Sequence, residues 1–212
     1  MTQKKPLSRN PYDICTWRPV SECADCSLGG RLKCRFRVSD LLHFMGMFGS
    51  FALPAAIGVS LGGYGPWLWG WVAFCLIFFE FWEIRILCSH CPYYAEAGST
   101  LHCIANYSSL KVWKYHPEPM SRAEKVQLWI GFAILGGYPF PFLLLGQQFA
   151  FALLAFWGLG LFFWTLLKYT CSQCVNFSCP LNRVPKAVVD EYLRRNPVMR
   201  QAWEVHGWRL EE

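Results

Sequence analysis

The segment Arg85-Ile-Leu-Cys-Ser-His-Cys-Pro92 ends a long apolar run, and its pattern returns later in the chain as Lys168-Tyr-Thr-Cys-Ser-Gln-Cys174. Each copy places a Cys-Ser-x-Cys motif just after a basic residue. Each is then followed by a third cysteine in a Cys-x-x-Asn frame, at Cys103 and at Cys179. The chain therefore contains an internal repeat, and each copy of the repeat carries three cysteines.

The composition around this repeat is typical of a membrane protein. Hydrophobic residues make up 54% of the 212 residues and charged residues only 16%, whereas a soluble domain carries about 25% charged residues. Residues 41–79 and 126–167 contain no charged side chain, and these windows are 39 and 42 residues long. Each window matches twice the roughly 20 residues that a membrane-spanning helix needs. We therefore predict two helices and a tight turn in each window.

The four predicted helices run from about Leu41 to Leu61, Trp67 to Leu87, Val126 to Leu145 and Phe149 to Leu167. A Gly-Gly pair and two prolines predict a break in the third helix. Basic segments mark the cytoplasmic side of a membrane, so both termini are expected there. The predicted fold class is an all-α membrane protein in which four transmembrane helices form two parallel-repeat hairpins, with cysteine-rich cytoplasmic segments. The predicted location is the cytoplasmic (inner) membrane, crossed several times.

This topology predicts five segments. They are a cytoplasmic cysteine-containing arm (1–38), a first helical hairpin (39–87), a cytoplasmic cysteine loop (88–125), a second helical hairpin (126–170), and a cytoplasmic cysteine motif with a helical tail (171–212). The N-terminal residues show no apolar stretch with a cleavage site, so a removable signal peptide is not predicted.

Short signals in the polar segments predict local structure. Ser121 followed by Glu124 predicts a capping box at the start of the third helix. In the tail, Pro185 is predicted to begin one short helix and Pro197 a second one ending near Val205. Apolar residues on these helices are expected to be buried, so that the tail caps whatever the cysteines hold. A protein-partner surface is the alternative for the tail.

Ten of the eleven cysteines lie in the basic segments, which the charge rule assigns to the reducing cytoplasm. Clustered thiolates at Cys-x-x-Cys spacing in such a compartment select zinc or iron–sulfur centres. The candidate ligands form three groups: Cys15, Cys23, Cys26 and Cys34; Cys88, Cys91 and Cys103; and Cys171, Cys174 and Cys179. Cys75 lies inside the second predicted helix, where we expect a small buried hydrophobic side chain.

A closed zinc site would use the four cysteines of the two Cys-Ser-x-Cys motifs to join the hairpins. That arrangement leaves Cys103 and Cys179 without a role, although each holds the same place in its repeat. The Cys-Pro pairs at residues 91–92 and 179–180 are like the Cys-Pro that ends bacterial ferredoxin motifs. We therefore favour iron–sulfur clusters of the 4Fe-4S type, with zinc as the alternative.

Some ionisable residues also lie near the candidate cysteines in the sequence. His90 and His102 flank candidate cysteines and are possible ligands or hydrogen-bond donors to cluster sulfur. Glu80 and Glu83 lie at the inner end of the second helix. We expect them to be snorkelling charges or to form ion pairs with the basic residues before the first helix, with a proton relay as the alternative.

From Leu41 to Asn182 the chain resembles the polytopic membrane iron–sulfur proteins of the NapH type and the related membrane part of NosR. The matching residues are Cys88-x-x-Cys91-Pro92 and Cys174-x4-Cys179-Pro180, which follow the second and fourth helices. The resemblance implies a protein that passes electrons from the quinone pool or a cytoplasmic donor to a partner reductase. The family's Cys-x-x-x-Cys-Pro spacing and its two C-terminal ferredoxin motifs are not found in this sequence.

The sequence thus predicts an integral membrane iron–sulfur protein that carries electrons between a cytoplasmic donor and quinone or a membrane redox partner. We expect an electron-transfer subunit in the lipid bilayer, without substrate chemistry of its own and without a nucleic-acid partner. A zinc-stapled membrane scaffold or adaptor is the first alternative. A thiol–disulfide oxidoreductase is the second, although such enzymes work on the oxidising side of a membrane.

Overall fold

A computed structural model describes residues 10–103 and 105–211 of the chain, and most of these residues are helical. The α-helices are Val38–Val59 (α1), Leu68–Ile77 (α2), Glu83–Ile86 (α3), Arg122–Gly137 (α4), Pro139–Leu145 (α5), Phe149–Thr165 (α6), Lys186–Arg194 (α7) and Pro197–Val205 (α8), and the strands are Thr100–His102 (β1) and Tyr107–Leu110 (β2). Residues 1–9 lie outside the described residues, and the prediction that the chain has no removable signal peptide rests mostly on them.

Among the described residues, two segments are long and apolar enough to cross a membrane. They are Arg122–Leu145, formed by α4 and α5, and Phe149–Cys171, in which a wide helical turn extends α6. These segments correspond to the third and fourth predicted helices. The predicted break in the third helix is confirmed, because α4 ends at Gly137 and α5 starts at Pro139.

The segments predicted as the first and second membrane helices are also helical, over nearly the predicted residues. α1 begins at Val38, three residues before the predicted start. A wide turn at Phe78–Trp82 joins α2 to α3 into one continuous helical column. Between α1 and this column the chain reverses at Gly63, which has φ +84°. Glycine adopts this left-handed conformation without the steric cost of a Cβ atom.

The main helix contacts join the first half of the chain to the second. α1 packs chiefly against α6, and Gly158 of α6 lies directly on the backbone of α1 at Ser50 and Phe51. On the other side, Gly131 of α4 lies against the ring of Phe78. Small residues at such crossings let helix backbones approach closely. The two halves therefore form one helical unit and not two separate hairpins.

Replacing Gly158 by alanine is expected to disrupt this unit. The new Cβ would overlap the carbonyl group of Ser50, and backbone atoms cannot move aside as a side chain can. Overpacking of this kind costs about 1–3 kcal/mol. The measurement is thermal unfolding of the detergent-solubilised protein. Gly160→Ala on the same helix is the matched control, because a Cβ there meets no atom within 4 Å; equal stability of the two variants would contradict the close contact.

The predicted capping box at the start of α4 is confirmed. The backbone N–H of Glu124 donates to Ser121 Oγ at 3.2 Å, and the carboxylate of Glu124 accepts from the backbone N–H of Ser121 at 2.8 Å. These two bonds satisfy helix N–H groups that have no partner within the helix. The start of α4 is thereby fixed where the polar loop ends.

The polar segments form a second core below the helices. The arm, the cysteine loop and the tail pack together there, and α7 and α8 contribute buried Val188, Tyr192, Met199 and Trp203. α8 spans Pro197–Val205, as predicted. The tail is therefore part of the folded unit that contains the cysteines.

The prediction of an all-α chain is incomplete, because the cysteine loop contains a small antiparallel hairpin. Thr100 of β1 pairs with Leu110 of β2, and His102 pairs with Tyr107. Strands of three and four residues are too short to show a clear alternation in sequence. The hairpin matters for the site, since Cys103 lies where its two strands are joined.

Candidate metal centre

Six cysteines line one cavity where the helices meet the polar core. They are Cys88, Cys91, Cys103, Cys171, Cys174 and Cys179, and we call this group the six-cysteine site. The six are the two predicted triads, one from each copy of the repeat. The cavity has a volume of ≈130 Å³. On the same measure, roughly 10–15 Å³ is enough for one water molecule. The site is therefore large enough for a group of several atoms.

Helix ends and tight turns place these cysteines. A single 3₁₀ turn, Cys88–His90, follows α3 directly, and the N–H of Cys91 closes it on the carbonyl of Cys88 at 2.9 Å. In the second copy, Cys171 is the last residue of the wide turn after α6. The loop beyond it folds back, so that the N–H of Arg183 donates to the carbonyl of Cys171 at 3.0 Å. Each triad is thus fixed to the end of a helix.

The two triads face each other within the site. Burial raises the pKa of Cys91, and negative charge on Cys103 and Cys174 would raise the pKa further. Burial likewise raises the pKa of Cys174 to about 12. Cysteines from both copies therefore lie close enough to affect one another. Any metal bound here must displace the protons of these thiols.

Asparagine residues hold the loops and donate to sulfur. Asn106 donates through Nδ2 to Cys88 Sγ at 3.4 Å and to Glu83 Oε2 at 2.8 Å. Its counterpart in the second Cys-x-x-Asn frame, Asn182, donates instead to the carbonyls of Cys174 and Asn176. The repeated asparagines thus have different roles, one at a sulfur atom and one in shaping a loop.

Glu83 and Asn176 also belong to the site, although the sequence analysis does not predict them as site residues. Glu83 lines the cavity and is only 5% exposed; it accepts a hydrogen bond from Asn106, where we expected a snorkelling charge or an ion pair. Asn176 donates from its backbone to Cys174 Sγ at 3.5 Å and from its side chain to the carbonyl of Leu87 at 3.1 Å. The second contact joins the two halves, and no sequence pattern marks it.

The two candidate histidines make polar contacts away from cysteine sulfur. His90 is buried, with Nδ1 at 2.7 Å from the carbonyl of Glu118 and Nε2 at 3.4 Å from the carboxylate of Glu124. His102 lies in β1, with Nδ1 at 2.8 Å from the carboxylate of Glu96. Their role as metal ligands stays a prediction.

The four arm cysteines form a second group, which we call the arm site: Cys15, Cys23, Cys26 and Cys34. Burial raises the pKa of Cys34 to about 12, and the nearby Cys15, Cys26 and Cys23 add to the shift. The tail, which we predicted to cap the cysteines, packs on this group. Asn196 accepts from the backbone N–H of Cys15 at 2.6 Å, and Tyr192 Oη lies 2.8 Å from Thr16 Oγ1.

Tyr93 lies between the two groups of cysteines. It lines the cavity of the six-cysteine site, and its hydroxyl donates to the carbonyl of Lys33, the residue before Cys34, at 2.6 Å. Burial raises the pKa of Tyr93, and both Cys91 and Cys34 contribute to the increase. The ring of Trp17 meets it edge-on, with centroids 6.2 Å apart. Tyr93 therefore connects the six-cysteine site to the arm, and Trp17 of the arm packs against it.

The described side chains are not arranged around a single metal ion. Within residues 10–103 and 105–211, no three His, Cys, Asp or Glu side chains converge closely enough to hold one metal ion. Thiolates around one zinc ion lie about 3.8 Å apart, given a Zn–S bond of ≈2.3 Å and tetrahedral geometry. An iron–sulfur cluster is several atoms wide, so its cysteines lie further apart. Which of these two kinds of centre the ten thiols hold stays a prediction.

No protein-family model, no curated protein and no solved structure matches the chain. The function of the protein therefore has to be inferred from the chemistry of its own sites.

Proposed function

We propose that the chain is an integral membrane iron–sulfur protein that passes electrons between a cytoplasmic donor and quinone or a membrane redox partner. The observation that carries the proposal is the six-cysteine site, in which both copies of the repeat contribute three thiols to one cavity. Soft thiolates at this density select iron–sulfur clusters or zinc. The Cys-Pro motifs after the second and fourth helices also support an architectural resemblance to the NapH type.

A bound iron–sulfur cluster supplies one-electron storage at a potential that its surroundings set. The chain's own residues would hold the cluster through cysteine thiolates and donate N–H groups to sulfur from Asn106 and Asn176. Phe79, Phe132 and Phe162 line the membrane side of the same cavity. These rings keep water away from the site, which favours electron transfer over side reactions with solvent.

The proposal includes four membrane spans, with both termini and all ten site cysteines on the cytoplasmic side. Its support is the apolar outer surface of the first two helices. Leu53 on α1 is 65% exposed, and Trp69 and Leu76 on α2 are 76% and 59% exposed. A continuous surface of this kind is unfavourable in water and favourable in lipid. The basic residues near the cysteines support the cytoplasmic orientation.

A zinc-stapled scaffold is the second candidate, and one observation favours it. The six-cysteine site lies where the two halves meet, and Asn176 already joins the halves through the carbonyl of Leu87. A metal ion at this place would strengthen the same connection. The thiol–disulfide alternative is less well supported, because burial raises the pKa of Cys91 and Cys174 and so lowers the fraction of reactive thiolate.

The experiment is metal analysis of the full-length protein, purified without oxygen in detergent. We expect iron and acid-labile sulfide in about equal amounts, as in a 4Fe-4S cluster, together with visible absorption that reductant bleaches. Zinc without iron, and no change on reduction, would end the electron-transfer proposal and favour the scaffold. A reporter fused to either terminus is expected to be active only in the cytoplasm.

A further inference from the structure

We propose that Arg195 and Arg35, assisted by Asn196, raise the reduction potential of the arm site above that of the six-cysteine site. This inference rests on the proposed function, because it assumes that both groups of cysteines hold iron–sulfur clusters. It states which of the two sites has the higher reduction potential, and it assigns the difference to three residues that no sequence motif identifies.

Arg195 reaches a sulfur atom from the far end of the chain. It follows α7, and its Nη1 donates to Cys26 Sγ at 3.1 Å. Its Nη2 donates to Ser27 Oγ at 2.7 Å and lies 3.5 Å from the carboxylate of Glu191. The contacts with Ser27 and Glu191 hold the guanidinium in place, so that Nη1 stays directed at the sulfur atom of Cys26.

Two more sulfur atoms of the arm site receive N–H groups. Arg35 donates through Nη2 to Cys23 Sγ at 3.3 Å and to the carbonyl of Arg18 at 2.6 Å. Asn196 donates through Nδ2 to Cys15 Sγ at 3.3 Å and has no exposed surface. Three of the four thiols thus have a donor, and two of those donors carry a permanent positive charge, because arginine stays protonated in proteins.

The six-cysteine site differs in the groups next to its sulfur atoms. Cys88 and Cys174 receive hydrogen bonds from an amide side chain and a backbone N–H, which carry no charge. The carboxyl group of Glu83 lies in the same cavity. The positive charges of Lys33 and Arg183 lie near Cys174 and Cys171. Their contacts in the described structure are not with sulfur: Lys33 Nζ forms an ion pair with Asp40 at 2.6 Å, and Arg183 donates its backbone N–H to the carbonyl of Cys171.

Charge decides the direction of the difference. Reduction adds one negative charge to a cluster, so a guanidinium bonded to its sulfur stabilises the reduced form more than the oxidised form. Hydrogen bonds to sulfur act in the same direction, and a nearby carboxylate acts in the opposite one. An electron shared between the two sites is therefore expected to reside on the arm site, with Tyr93 between them.

The test is a redox titration of the full-length protein, followed by electron paramagnetic resonance, with iron analysis of every sample. A Cys26→Ala variant assigns which signal belongs to the arm site. In Arg195→Gln we expect the one-electron equilibrium of the arm site to shift about tenfold toward the oxidised form, which is 59 mV lower in potential. The six-cysteine signal is expected to stay unchanged.

Arg194→Gln is the matched control, since the neighbouring arginine donates to the carbonyl of Glu211. A shift in Arg195→Gln no larger than in this control would overturn the inference and leave the proposed function standing. The inference would also be overturned if, in the wild-type protein, the reduction potential of the arm site were lower than that of the six-cysteine site. Iron-free wild-type protein would instead remove the proposed function itself, and the inference with it.

Arg35→Gln keeps the test decisive if Arg195→Gln loses the arm cluster. It removes a guanidinium from a different sulfur atom, and Arg37→Gln serves as its control. The same downward shift is expected from Arg35→Gln with iron retained. Loss of the arm iron in Arg195→Gln, Arg195→Lys and Arg35→Gln alike would show a purely structural role and overturn the inference.

Discussion

Cys103→Ala and Cys179→Ala are each expected to lower the affinity of the six-cysteine site for iron by more than ~100-fold. Both residues line the common cavity and hold the same place in their repeats, so the two variants should fail alike. Loss of residues that merely support ligands already costs about 10–100-fold in metal affinity, and loss of a ligand should cost more. The measurement is iron and acid-labile sulfide per chain after anaerobic reconstitution.

Cys75→Ala is the control for these variants. Cys75 lies in α2, half-buried against the apolar core of the helices and away from the cavity, and iron content should stay at the wild-type value. If Cys103→Ala and Cys179→Ala both keep the full metal content, the cluster assignment is wrong. The four cysteines of the two Cys-Ser-x-Cys motifs would then be the ligands, as the zinc scaffold requires.

Asn196→Ala is expected to destabilise the packing of the arm on the tail by about 3 kcal/mol. Asn196 is fully buried and accepts from the N–H of Cys15 at 2.6 Å while donating to the carbonyl of Tyr192 at 2.6 Å. Alanine would leave the N–H of Cys15 buried without this partner, and an unsatisfied buried polar group costs about 1–3 kcal/mol in addition to lost packing. Faster hydrogen exchange at residues 14–17, with denaturant unfolding, is the measurement.

Gln201→Ala is the matched control for that variant, because it removes an exposed amide from the next helix, α8. Exposed substitutions of this kind change stability by less than about 0.5 kcal/mol. Exchange rates in the arm that are equal for Asn196→Ala and Gln201→Ala would show that Asn196 does not hold the arm on the tail.

Local patterns predicted much of the helical structure. Two uncharged windows located the helices to within a few residues, the Gly-Gly pair located the break before Pro139, and Ser121 with Glu124 located the start of α4. These features depend on residues close together in sequence, through capping bonds and backbone conformation. The repeated Cys-Ser-x-Cys motifs and Cys-x-x-Asn frames also identified, without any structure, all six cysteines that line the cavity.

The contacts that define the sites could not be predicted in the same way. Gly158 meets Ser50, and Arg195 meets Cys26, only because distant segments pack together. Sequence periodicity reports the buried face of a helix and not the partner of that face. Glu83 shows the same limit, because its hydrogen-bond donor is the asparagine of a hairpin that is too short to leave a sequence pattern.

The contact between Cys15 and Asn196 also has a consequence for biogenesis. The two residues are 181 positions apart, and a chain grows at roughly 5–20 residues per second. The first cysteines therefore leave the ribosome roughly 10–40 s before the tail that covers them exists. In the proposed cytoplasmic orientation, the arm thiols are accessible during that interval to reductants and to metal-delivery proteins. If the arm holds the proposed cluster, we expect the cluster to be inserted before the tail folds over the arm and covers it.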